Sequence, residues 1–317
     1  MTVPAAMRAL VFDPPHGLRM TKVAVPDPGP TEALVAVRYS SLNWVEVART
    51  ELVHQAGDVV GRDSAGTVVR AAADGSGPAV GSRVVGFRAP GAWADYHAVG
   101  TEDLAVVPDT VDLAAAAALP GAAVSALQAV RRLSTHLDSG AHGQPLAGHR
   151  VLVTGASGGV GRAATQLAAL AGAEVVAAVG TPERGTGLSA LGAAEVVTDL
   201  AGVRPVDGVL DIVGGRTLTT AYELLKRGGL ALSIGSTGGA TTTFDFEAAR
   251  LRGGQRAVEA FSVSTPFGPD LDHLLGLLVA GQFEPQIGWQ GSWHQVDEAR
   301  TALLTRKLRG KAVLAID

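Results

Sequence analysis

The sequence predicts an α/β protein of two parts, a partly open antiparallel β-barrel and a doubly wound parallel sheet. Three observations predict it. Residues 7–110 hold short apolar runs punctuated by Pro, Gly and Asp. Residues 151–254 alternate strand-like with helix-like runs, and a glycine turn joins the first strand of that pattern to its first helix. The 317 residues are enough for two domains at roughly 150 residues each, and a content of 47% hydrophobic against 18% charged residues supports a large core.

The barrel is read from ALVF, ALVAVRYS, GTVVR, SRVVGF and DYHAV, each bounded by turn-forming residues at the spacing of a small antiparallel barrel. From Leu113 to Val130 the chain is uncharged and rich in alanine, nearly the ~20 residues of a membrane span. Pro120 and Gly121 interrupt it, so two short buried helices are expected there. STHLDSGAHGQPLAGH (134–149) reads as an exposed, polar, flexible insertion.

The parallel sheet is read from VLVTG, GRAATQLAALA, AEVVAAV, LSALG, AEVVTD, GVLDIVG, LTTAYELLKRG and LALSIGS. Such alternation means parallel strands with crossover helices. Only TDLAGVRPVD separates AEVV from GVLD, short of the dozen or more residues a crossover usually takes. A bare loop and a partly uncovered sheet face are expected there. Beyond residue 255, AVEAFSV reads as a strand, DLDHLLGLLVAG and DEARTALLTRKLRG as helices, and KAVLAI as a closing strand. The expected division is 1–120 with 255–317 for the barrel-like domain and 121–254 for the parallel-sheet domain.

The turn in VLVTGASGGVGRAATQ carries Gly155, Gly158 and Gly161 at GxxGxxG spacing, with Gly159 as a fourth glycine and Ser157 and Val160 between them. A pyrophosphate approaches such a backbone closely, and the helix N-terminus meets it with free N–H groups and a positive dipole end. A dinucleotide site is therefore expected. Asp or Glu usually follows the second strand of an NAD site to bind the ribose hydroxyls. Here Val179, Gly180, Thr181, Pro182, Glu183 and Arg184 follow instead. Gly180 and Thr181 offer room and a hydroxyl, and Arg184 can reach a 2′-phosphate, which favours NADPH over NADH. In the alternative reading Arg184 is a solvated helix-start residue paired with Glu183.

The absence of cysteine excludes disulfides, thiol nucleophiles, iron–sulfur clusters and thiolate zinc sites. A formal charge of −4 gives no reason to expect nucleic acid or an anionic membrane as partner. MTVPAAMRALVF lacks the pattern of a secretory signal, so a cytoplasmic location is expected. His136, His142 and His149 sit in a glycine-rich stretch without helical spacing, and no metal is expected there.

GASGGVG, LGAAEVV, VLDIVGG and RGGLALSIGS occur in an order and spacing that resemble the medium-chain dehydrogenase/reductase superfamily. SSLNWVEVAR, VVGRDSAGTVV, VGSRVVGF, GAWADYHAV, ALPGAAVSALQAV, VAGQFEPQIG and LRGKAVLAI extend the likeness over nearly the whole chain. It is greatest to the zinc-free quinone oxidoreductase and enoyl reductase branch. The resemblance implies a GroES-like catalytic barrel, a Rossmann domain, a cleft between them, NADPH and a homodimer. Asn43 matches the family's Asn and would donate to the nicotinamide ribose or to a substrate oxygen, the alternative being a turn cap. Ser125 takes the place of a family Thr near the nicotinamide, or caps the following helix. Val213 in VLDIVGG and Gly235 in SIGSTGG would contact the cofactor. Glu46, where the family often has Asp, would orient the Asn43 loop.

The departures from the family are informative. Zinc-using members carry a Cys near the position of Asn43 and a His in a GHE motif; this chain has Gly61, Arg62 and Asp63 there and no four-cysteine lobe. RTELVHQAGD holds no Tyr to donate a proton, which leaves His54 as the titratable candidate unless it is merely solvated. Asp199 stands about where quinone-reducing relatives often have a Tyr. Trp44, Phe87 and Trp93 are candidates either for the walls of a flat site or for the core. The resemblance implies an NADPH-dependent, metal-independent reductase of quinones or α,β-unsaturated carbonyls; the missing Tyr and the candidate flat site add the expectation of an aromatic polyketide-type substrate within that range. The alternative is a nucleotide-binding structural or regulatory protein with little turnover.

Overall fold

The structure is a computed structural model that describes residues 3–14, 16–88, 90–137 and 144–317. The chain divides into two compact units, Met1–Val124 with Ser264–Asp317, and Ser125–Val263.

In the first unit β1 (Ala6–Asp13) and β2 (Gly17–Ala24) form an antiparallel hairpin. Leu10 N donates to Trp93 O and Phe12 N to Asp58 O, which ties the hairpin to the rest of the unit. β3 (Glu32–Ser41) is the spine of the main sheet and leads into two short helices, α1 (Trp44–Ala48) and α2 (Thr50–Val53). β4 (Asp63–Arg70) runs antiparallel along one edge of β3, and β5 (Arg83–Phe87) along β4. β6 (Tyr96–Gly100) pairs with Glu32–Ala36 on the other edge of β3. β7 (Leu104–Val106) pairs with β5. α3 (Leu113–Ala117) is capped by Asp112, whose carboxylate accepts from Ala114 N, and a single π-helical turn (Pro120–Val124) ends this part.

The second unit opens with α4 (Ser125–Leu137). β8 (Arg150–Thr154), α5 (Gly159–Leu170), β9 (Glu174–Ala178), β10 (Ala193–Val197), β11 (Val206–Asp211), α6 (Gly215–Glu223), β12 (Leu225–Ser233), α7 (Phe246–Leu251) and β13 (Ala257–Ala260) follow. All strand pairs are parallel, in the order β10-β9-β8-β11-β12-β13. This is the doubly wound order whose direction reverses between its first and fourth strands, here β8 and β11. Leu152, Val176, Val209, Leu225 and Ala231 are buried in its core.

The chain returns to the first unit with α8 (Gly268–Val279), β14 (Ile287–Ser292), α9 (Val296–Leu304) and β15 (Lys311–Ala315). β15 pairs with Tyr39–Ser41 of β3, on the edge that β6 uses farther back, and carries β14 in parallel. The main sheet therefore runs β14-β15-β3-β4-β5-β7, with β6 beside β3. Trp93 and Trp293 are wholly buried at its core among Leu10, Val37, Val60 and Leu314. The antiparallel barrel and doubly wound sheet agree with the predicted fold class. Among the described residues no helix is long and apolar enough to cross a membrane.

The structure departs from the sequence reading at several segments. LSALG forms no helix: a 3₁₀ turn (Pro182–Gly185) and a run of turns lead to Gly192, with φ of +84° at Gly187 and +96° at Gly192. The helix predicted over LTTAYELLKRG stops at Glu223, because Leu225 is drawn into the core opposite Val206 as the start of β12. The loop between β10 and β11 is bare, as expected, but it covers the sheet, with Leu200 buried and Val203 packed against the core. The polar stretch beginning at Ser134 is still helix as far as Leu137. Ser134 is buried there because its hydroxyl donates to Val130 O, one turn back. His142 lies outside the described residues.

Candidate functional site

In the second unit the glycine turn lies at the C-terminal end of β8, beside the point where strand order reverses. Gly155 has φ +60°, and a Cβ at Gly161 would lie 2.3 Å from Gly155 O and 2.6 Å from Ala156 Cα. The first turn of α5 thus rests on the turn's backbone, which only glycine allows. Gly158 is the N-cap, and Gly158, Gly159 and Val160 remain partly open at the start of the twelve-residue helix. The first amides of a helix have no intrahelical acceptor.

Arg184 reaches this turn: its Nε donates to Ser157 Oγ at 2.9 Å. Gly180 is exposed, with nothing within 4 Å of a Cβ built on it. The Thr181 side chain is hydrogen-bonded to the Glu183 carboxylate, which holds that carboxylate below its usual range. Asp199 turns into its own loop and accepts from Ala201 N at 3.1 Å. The turn and Arg184 are thus joined through Ser157, with Gly180 exposed just before the 3₁₀ turn that carries Arg184; glycine backbone, helix N-terminus and cation are the group types that a dinucleotide's phosphates require.

Asp211, at the end of β11, organises the neighbouring turns and was not singled out from the sequence. It is wholly buried. Oδ1 accepts from Thr154 Oγ1 at 2.5 Å and Oδ2 from Gly214 N at 2.8 Å, while burial pushes its pKa up. Its carbonyl accepts from Gly235 N at 3.2 Å. Val213 and Gly235 are half-buried beside these turns, and Gly238 N donates to Val213 O at 2.8 Å. Ser125 is buried at the start of α4.

In the first unit Asn43 is the N-cap of α1. Glu46 Oε2 accepts from Asn43 N at 2.9 Å, the loop-orienting role expected of it. The Asn43 side chain is held at both ends. Its Oδ1 accepts from Lys311 Nζ at 2.8 Å and its Nδ2 donates to Asp63 Oδ2 at 3.0 Å. Lys311 Nζ also donates to Leu42 O at 2.8 Å and lies 3.3 Å from Asp63 Oδ2. Ser41 Oγ donates to Asp63 Oδ2 at 2.6 Å and Gly121 N to Asp63 Oδ1 at 3.1 Å. Asp63 and Lys311 are buried, and Asn43 is half-buried.

Glu46 is buried, and desolvation, followed by the neighbouring Asp63, pushes its pKa up to about 8. Its Oε1 has no hydrogen-bond partner among the described residues; Arg62 Nε lies 3.9 Å away. His54 is the C-cap of α2 and is buried, not solvated. Neither ring nitrogen has a partner among the described residues, and burial followed by the Arg62 charge lowers its pKa. Trp93 is core, with no exposed surface. Phe87 stacks on Phe267 with ring centroids 4.2 Å apart, and Trp44 is half-buried in α1. Among the described residues no group of three or more His, Asp or Glu could hold a metal ion. His136 Nε2 lies 2.9 Å from Gly228 O, and His149 Nδ1 lies 3.9 Å from Asp207.

The family model described as zinc-binding dehydrogenase matches residues 159–278. An acrylyl-CoA reductase of Ruegeria pomeroyi is 33% identical over 256 residues, which cover 73% of this chain and 75% of that protein. The chain belongs to the medium-chain dehydrogenase/reductase superfamily, in its quinone oxidoreductase and enoyl reductase branch. A quinone oxidoreductase of Pseudomonas aeruginosa is 26% identical over 91% of this medium-chain reductase and 92% of its own length. The structure of a quinone oxidoreductase from Coxiella burnetii shares the fold, with a TM-score of 0.81 at 23% identity, covering 98% of this chain and 100% of that one.

The sequence of this medium-chain reductase carries a signal for both buried charges. Asp211 is a lone carboxylate inside the apolar run GVLDIVG, and Lys311 a lone cation opening the apolar strand KAVLAI. A charge in a run that must be buried requires a partner, and both residues have one.

Proposed function

We propose that this protein transfers a hydride from NADPH, in preference to NADH, to a quinone or an α,β-unsaturated carbonyl. The observation that carries the reading is the bond from Arg184 to Ser157, which places a cation at the edge of the glycine turn. When bound, the reduced nicotinamide supplies the hydride. The chain's own residues bind and orient. The turn from Gly155 to Gly161 and the N-terminus of α5 receive the pyrophosphate, and Gly180, Thr181 and Arg184 receive the adenosine ribose with its 2′-phosphate. Ser125, Val213 and Gly235 line the nicotinamide end.

Reduction of a quinone or enone places negative charge on the carbonyl oxygen, and a fixed donor there lowers the barrier. Asn43 is that donor. His54, buried and with a lowered pKa, is a poor proton source at neutral pH, and water protonates the phenolate or enolate.

The test mixes the purified protein with NADPH and para-benzoquinone, and then with a series of simple enones, and follows the NADPH absorbance. Loss of absorbance with at least one acceptor, faster with NADPH than with NADH, is expected. Dinucleotide binding without turnover on any acceptor would overturn the reading and leave a nucleotide-binding protein of structural or regulatory role.

A further inference from the structure

The hydrogen bonds around Asn43 can be counted to completion. The three Nζ protons of Lys311 go to Leu42 O, Asn43 Oδ1 and Asp63 Oδ2. The Asp63 carboxylate receives four donors: Ser41 Oγ, Asn43 Nδ2 and Lys311 Nζ on Oδ2, and Gly121 N on Oδ1. Each oxygen of an ionised carboxylate has about two acceptor sites, so Oδ2, with three donors, has none to spare. The backbone N–H of Asn43 is taken by Glu46. Of all the donors in this cluster, one Nδ2 proton of Asn43 has no partner among the described residues, on a residue that is half-buried.

The arrangement also fixes which end of the amide is which. Lys311 only donates and the ionised Asp63 only accepts, so the amide cannot flip without facing oxygen with carboxylate and nitrogen with ammonium. A cation on Oδ1 also polarises the amide and strengthens its remaining N–H as a donor.

We infer that Lys311 is a positioning residue: with Asp63 it locks and polarises the Asn43 amide so that the one remaining Nδ2–H is presented to the oxygen of the substrate. This inference rests on the hydride-transfer reading for the identity of that oxygen, but the bracing itself does not. A buried pair such as Lys311 and Asp63 is not needed for folding as such, since apolar replacements of similar volume often fold as well. Its energetic return is the single orientation it forces on a neighbouring group.

The experiment is a double-mutant cycle with two readouts. In kinetics with NADPH and para-benzoquinone, K311M lowers kcat by about tenfold to a hundredfold, the loss of roughly one charge-assisted hydrogen bond, with KM for NADPH within about twofold. In an N43A background the same K311M change alters kcat by less than about twofold. In nitrogen-15 spectra, the two Nδ2 proton signals of the Asn43 side chain, always separate because rotation about the amide C–N bond is slow, are displaced in the parent protein from the usual asparagine positions, and in K311M they converge on those positions. Should K311M alone fail to fold, D63N/K311M removes both charges together, and the same convergence and Asn43-dependent kcat loss are expected. Equal kcat losses with and without Asn43, or an amide spectrum unchanged by either variant, would overturn the inference. If the parent protein reduces no acceptor, the hydride-transfer reading falls, while the amide spectra still decide whether Lys311 braces Asn43.

Discussion

Arg184 and Ser157 are 27 positions apart in the sequence, and the guanidinium of one donates from Nε to the hydroxyl of the other at 2.9 Å. The bond ties the guanidinium, a planar fork of donors, to the glycine turn. A bound 2′-phosphate would then gain a charge-assisted bond worth about 1.5–3 kcal/mol. Arg184→Ala is expected to raise the dissociation constant of NADPH by about ten- to a hundredfold and to leave that of NADH nearly unchanged. Calorimetric titration of both cofactors checks it. Equal losses for the two would assign Arg184 to the fold alone.

Gly161 makes a different prediction, because its neighbour is backbone and cannot move aside. A Cβ there would stand 2.3 Å from Gly155 O, far inside contact distance. Gly161→Ala must push α5 off the turn at a cost of about 1–3 kcal/mol, and the displaced helix N-terminus no longer meets a phosphate. Lower thermal stability together with weaker binding of both NADPH and NADH is expected, in contrast to the selective loss at Arg184. Unaltered binding of both cofactors in Gly161→Ala would show that the turn does not hold the pyrophosphate.

The glycine turn was legible in the sequence because it is local. Strand, turn and helix lie within residues 150–170, and the spacing of Gly155, Gly158 and Gly161 states the close approach directly. The Asn43 cluster was not legible, since Ser41, Asn43, Asp63, Gly121 and Lys311 come from four segments: the pairing of β3 with β4 and β15 joins three of them, and the π-helical turn adds Gly121. Asn43 itself was found through resemblance, which names a residue but not what holds it. The helix predicted over LTTAYELLKRG failed for a related reason. Its period was helical, but Leu225 is buried opposite Val206 as the first residue of β12, and tertiary burial outweighs propensity.

Glu46 gives stability a pH dependence of known sign. Burial and the neighbouring Asp63 raise its pKa to about 8 in the folded protein, against about 4.3 in an unfolded chain. Between these values the folded state holds a proton that the unfolded state has released, so stability falls as pH rises through the window. Glu46→Gln cannot titrate, and its side-chain carbonyl can still accept from Asn43 N. The melting temperature of the variant minus that of the parent protein is expected to grow from about pH 5 to about pH 8 and then level off. A difference that stays constant from about pH 5 to about pH 9 would show that Glu46 does not carry its proton into the folded core.

Gly121 lies against the face of the Asn43 amide. A Cβ on it would be 2.5 Å from Asn43 Oδ1 and 2.7 Å from Nδ2, and the amide cannot yield without breaking its bonds to Lys311 and Asp63. Gly121→Ala is therefore expected to destabilise the protein by about 1–3 kcal/mol in denaturant unfolding. Most of that cost belongs to one contact and should vanish when the contact is removed. In an Asn43→Ala background, where the methyl group has room, Gly121→Ala should cost less than about 0.5 kcal/mol more. Undiminished destabilisation in that background would place the strain in the π-helical turn at Pro120–Val124 and not in the crowding of Asn43.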